Sequence, residues 1–119
     1  MAETLYQRLG GAGRIAAIVE DAVDRHAVNP VLAARFRGKD LPRLARLGTD
    51  VLCSGAGGPQ QHERREPRAT HAGMNVDERE VRATIDDIVA ALRAHGVGPY
   101  EVSEVVAILH SMKRDVLRV

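Results

Sequence analysis

The 119-residue chain carries 17 Lys and Arg against 16 Asp and Glu, a net charge of +1, with 45% hydrophobic and 28% charged residues. That length suits one domain spanning 1–119, and the balanced charge is unlike a nucleic-acid binder, which carries a clear basic excess. No apolar run approaches the roughly 20 residues that cross a bilayer. The opening Met1-Ala-Glu-Thr4 has no basic and apolar leader, and the lone Cys53 cannot pair internally, so a cytoplasmic protein without a membrane partner is expected.

Helical periodicity runs through almost the whole sequence. Glu3 to Leu9 reads as a short helix stopped by Gly10-Gly11. From about Gly13 to Val28, the residues Ile15, Ile18, Val19, Ala22 and Val23 recur on one face. Asn29-Pro30 ends that helix, because proline disfavours helical geometry in the residue before it. A helical turn through Leu32 and Phe36 closes at Gly38.

Asp40 is placed to cap the next helix, with Pro42 tolerated in its first turn. Leu41, Leu44, Leu47, Val51 and Leu52 line that helix until Gly55-Ala-Gly-Gly-Pro59 breaks it. Residues 60–70 are polar and charged, and His71-Ala-Gly73 follows. Asp77 and Glu80 form a capping pair for a helix to about His95, striped by Val81, Ile85, Ile88, Val89 and Leu92. Gly96-Val-Gly-Pro99 separates it from a last helix faced by Val102, Val105, Val106, Leu109, Met112 and Val116. The spacing predicts an all-α fold. Its aromatics are only Phe36, Tyr6 and Tyr100, so a flat cofactor could supply bulk that the core lacks.

No phosphate loop, dinucleotide fingerprint, cysteine pair or His-Glu-x-x-His is present. Asp86 and Asp87 fall on the outward side of their helix and read as solvated charge, and Cys53 reads as a small packed hydrophobe. The remaining candidates are His26, His62, His71, His95 and His110. His71 stands out by its place before Gly73, between helices that enclose aliphatic space, where an imidazole could ligate iron.

The ordered motifs resemble those of a group I truncated haemoglobin over nearly the whole chain. They are Thr4-Leu-Tyr6-x-x-Leu9-Gly-Gly11, Asp24-Arg25, Asn29-Pro30-x-Leu32, Phe36-x-Gly38-x-Asp40-Leu41, Gly57-Gly58-Pro59, Arg68-Ala-Thr-His71-Ala-Gly73 and Gly96-Val97. The resemblance implies a globin-like, truncated two-over-two helical sandwich holding haem b. It places His71 on the iron and Phe36 on the porphyrin. Leu47, Met74, Val76, Val81, Thr84, Ile88 and Leu109 fall on the haem wall, with Arg68 or Arg46 near the propionates. His62 or His26 is the candidate for a second axial ligand.

The distal side departs from the family. Val23 replaces the usual tyrosine, Ala22 a common phenylalanine, and Leu44 and Gly48 stand where polar partners, often glutamine, occur. The small Ala22, Val23 and Gly48 are also expected to leave extra distal space. Without donors, oxygen is expected to be held weakly, which favours NO or redox chemistry or sensing over oxygen storage. The expected ligands are O2, NO and CO at a five-coordinate iron. An electron-donating reductase is the expected partner, and the protein is expected to be a monomer or weak dimer. Two alternatives remain at this stage. One is a haem enzyme using an enlarged apolar distal pocket for peroxide or N–O substrates; the other is a haemless helical interaction domain.

Overall fold

The computed structural model describes residues 3–59 and 74–113, and all structural statements concern those residues. The order is α1 (Leu5–Arg8), α2 (Gly11–Val28), α3 (Ala33–Phe36), α4 (Leu41–Gly55), α5 (Glu78–Ala94) and α6 (Pro99–Met112).

The boundaries follow from local chemistry. Helix ends leave backbone groups without partners, and nearby polar side chains supply them. At α1, Thr4 Oγ1 accepts from the Gln7 N–H at 3.1 Å while Gln7 Oε1 accepts from the Thr4 N–H at 2.9 Å. Asp40 accepts from the Arg43 N–H at 3.1 Å to start α4, and Asp77 accepts from the Glu80 N–H at 2.8 Å to start α5. Gly10 enters α2 at a φ of 99°, a left-handed conformation that side-chain-bearing residues rarely adopt. Asn29 is extended and ends α2 ahead of Pro30, as the proline requires.

The long helices form two layers. Helix α2 packs on α4 and on α5, and α5 packs on α6. The end of α4 closes the second layer so tightly that a Cβ on Gly55 would sit 3.2 Å from Ile108 Cγ2 of α6. Ile15, Ile18, Leu92, Val105 and Cys53 are the largest side chains wholly shielded from solvent. Burial, with the Asp50 charge adding to it, pushes the Cys53 thiol above its ordinary pKa, which suits the packed hydrophobe that the sequence suggests.

Two connections extend beyond the aliphatic core. Arg8 of α1 bonds to Glu101 at 3.2 Å and to Glu104 of α6. Arg35 of α3 forms a two-pronged ion pair with Glu80 of α5.

Asp87 corrects the sequence reading. It points inward and accepts from both His26 and Asn29, so it is not a solvated surface charge. Its neighbours along the same stripe, Ala83 and Ala91, are buried. Hydrophobic periodicity misplaced this face because alanines and a carboxylate contribute little apolar signal.

The Arg35 hydrogen bond holds the Glu80 carboxyl below the usual carboxylate range, opposed by burial. A carboxyl held low in the folded state contributes stability that is complete above its unfolded pKa, near 4.3. That contribution drains away as pH falls through the lower folded value. Glu80→Gln is therefore expected to cost up to about 1 kcal/mol near neutral pH, while glutamine can still complete the capping box. Urea unfolding from neutral pH down to about pH 3 should show a flatter acid limb in the variant; parallel limbs would show that this pair contributes nothing.

Candidate functional site

Helix α4 carries two apolar faces. One turns Ala45, Leu52 and Cys53 into the core, where all three are buried. The other presents Leu44, Leu47 and Val51 at positions i, i+3 and i+7, which share one side of a helix. Leu44 and Val51 are half-buried, and Leu47 is 43% exposed. Leaving such a stripe in water forfeits roughly 25 cal/mol for each Å² that could be covered.

The other expected wall residues have a related character. Val81, Thr84, Ile88 and Leu109 are half-buried, with Ile88 and Leu109 at the margin of the core, and Met74 is 38% exposed. Val76 is buried. This aliphatic surface fits a flat apolar group better than a charged ligand. Among the described residues, no group of three His, Cys, Asp or Glu side chains is arranged to hold a metal ion.

Phe36 sits at the end of α3, half-buried, with its ring centroid 5.3 Å from that of His26 and tilted by 38°. His26 is buried, and its Nδ1 lies 2.9 Å from Asp87 Oδ2. Arg46 is exposed on α4. His71, His62 and Arg68 lie outside the described residues.

On the side facing α2, Val23 is buried and carries no hydrogen-bond donor. Val19 lies one turn before it. A Cβ on Gly48 would come within 3.1 Å of Val19 Cγ1, so the glycine lets α2 and α4 approach closely. The expectation that Gly48 leaves extra distal space is thus corrected on the α2 side, where Val19 fills the room.

A separate cleft of about 570 Å³ lies between the first half of α5 and the end of α6. Arg79, Arg82, His110 and Lys113 line it together with Glu78 and Asp86, above Val81 and Ile85. Of the expected haem-wall residues only Val81 borders it, and Lys113 is already paired with Glu78 at 3.6 Å.

Two helix pairs stacked in layers, with a partly exposed aliphatic stripe on one of them, are the arrangement of a two-over-two globin. The bacterial-like globin family profile matches residues 4–118, and the chain belongs to that family. The group 1 truncated haemoglobin of Tetrahymena pyriformis is 24% identical over 115 residues, covering 97% of this chain and 95% of that protein. The group 1 truncated haemoglobin of a Nostoc species is 27% identical over 114 residues, covering 96% and 97% respectively.

The fold agrees. The Tetrahymena pyriformis protein in its Fe(III) form superposes with a TM-score of 0.94 at 24% identity, covering 98% of this chain and 100% of that one. A Synechococcus 2/2 haemoglobin, solved in the cyanomet state with covalently attached haem, gives 0.89 at 23% identity and covers 97% and 98%. Globins of this family bind haem and small gas ligands.

The close contact at Gly48 generates a double-mutant test. Gly48→Ala gains about 1 kcal/mol of helix propensity, against roughly 1–3 kcal/mol for overpacking, so stability should be unchanged or fall by up to about 2 kcal/mol. In a Val19→Ala background the same change should become stabilising by up to about 1 kcal/mol. Equal effects in both backgrounds, measured by denaturant unfolding, would show that Val19 does not fill this space.

Proposed function

We propose that this chain holds haem b with Nε2 of His71 as the protein ligand, and that it binds O2, NO or CO at a five-coordinate iron. Its work is NO or redox chemistry, or sensing, rather than oxygen storage. The observation that carries the reading is the partly exposed Leu44–Leu47–Val51 stripe of α4, together with a buried, donor-free Val23 on α2. The matches to truncated haemoglobins across nearly the whole chain support it.

Haem would supply an iron atom able to bind a small gas ligand. The chain's own residues would do the rest. His71 would offer a ring nitrogen to the iron, and a hydrogen bond at its other nitrogen would hold the ring's orientation. Phe36 would lie against the porphyrin. Leu44, Leu47, Met74, Val76, Val81, Thr84, Ile88 and Leu109 would exclude water from it, and Arg68 would pair with a propionate through a planar fork of donors. Val23, Leu44 and Gly48 offer no side-chain hydrogen bond to a polar ligand, so oxygen is retained weakly. A reductase that returns the iron to its ferrous state is the partner this chemistry calls for, in a reducing cytoplasm.

Reconstitution with stoichiometric haem should give a Soret band, and its absence would favour a haemless interaction domain. His71→Ala should lose the native axial-ligation spectrum; an unchanged spectrum would assign the iron to another side chain. Val23→Tyr should slow O2 release from the ferrous protein roughly 10- to 100-fold, the worth of one hydrogen bond to a charged acceptor. Equal stopped-flow release rates would mean that position 23 does not face the ligand.

A further inference from the structure

Helix α3 has four residues and no side-chain cap. A segment that short has little intrinsic stability, so whatever holds Phe36 must come from outside it. His26 is the ring packed against it, from α2. The imidazole is held in turn by Asp87 of α5, 2.9 Å from its Nδ1, and a carboxylate can only accept, so Nδ1 donates. Asn29 Nδ2 donates to the same Asp87 oxygen at 3.1 Å. Asn29 also starts the turn into α3, its side-chain oxygen accepting from the Val31 N–H at 3.0 Å and its carbonyl from Ala33 at 2.7 Å.

One half-buried carboxylate on α5 therefore fixes both the ring beneath Phe36 and the turn leading to it. We infer that His26 is a positioning residue for the cofactor: held by Asp87, it sets where Phe36 lies on the porphyrin. This rests on the assignment of Phe36 to the haem face made above.

The chain has a single phenylalanine, so para-fluorophenylalanine labels Phe36 alone and gives one fluorine NMR resonance to follow. In the CO-bound ferrous protein the porphyrin ring current should displace that resonance from its haem-free position. His26→Gln keeps a donor for Asp87 but removes the ring, and Asp87→Asn removes the acceptor's charge. In both variants the haem-induced displacement, haem-loaded against haem-free for the same variant, should differ from that of the wild type. Glu104→Gln, which cuts an ion pair at the other end of the fold, should leave it unchanged.

The haem-free spectrum of each variant subtracts the direct effect of the substitution on the probe, so the remaining haem-induced displacement reads position. A wild-type haem-induced displacement in both site variants would overturn the inference. No haem-induced displacement in the wild type would instead bring down the placement of Phe36 on haem, and this inference with it. If either site variant does not fold, Asn29→Ala removes one contact to Asp87 and should change the displacement by less; no change there would also overturn it.

Discussion

A helix with two apolar faces needs two neighbours, and the two faces of α4 are covered unequally. Ala45, Leu52 and Cys53 are buried in the core, whereas Leu44 and Val51 are half-buried and Leu47 is exposed. Much else in the fold follows from keeping that surface open and well placed. Helix α2 is drawn close to α4 at Gly48, α5 is set by its buried contact with α2, and α3 is tied down at the margin. A core of small aliphatic side chains can be tightly packed without being self-sufficient, and a rigid planar cofactor is the natural completion of such a core.

This division explains what the sequence revealed. Caps depend on residues three apart, so Asp40 and Asp77 could be read directly, and both helices begin beside them. The long stripes on α2 and α6 were legible for the same local reason. The family resemblance, resting on ordered motifs, extended the reading to the two-over-two arrangement that the structure has.

Tertiary choices were not legible. Asp87 looked outward because polarity alone suggests solvent, yet its Oδ2 meets two donors, from α2 and from the turn after it. A signal did exist, since Ala83, Asp87 and Ala91 fall four residues apart and form a small-residue stripe suited to close helix approach. Gly48 was misjudged on its α2 side because a missing side chain marks either a cavity or a close contact, and only Val19 decides between them. Of the candidate haem residues, those on α3 to α6 have the mixed exposure expected of a cofactor wall, and the roles of His71 and Arg68 rest on the motif that contains them.

Two of the polar attachments, at Arg8 and at His26, differ in how far water and ions reach them. Arg8 and its carboxylate partners on α6 are about one-quarter to one-third exposed, whereas the His26 and Asp87 side chains are 7% and 16% exposed. Mobile ions screen exposed charges within about 8 Å at physiological ionic strength and act much less on buried groups. Rising salt will therefore loosen the seam between α1 and α6 first and leave the α2–α5 contact largely intact. Ionic strength thus separates the wrapping of this molecule from its keel.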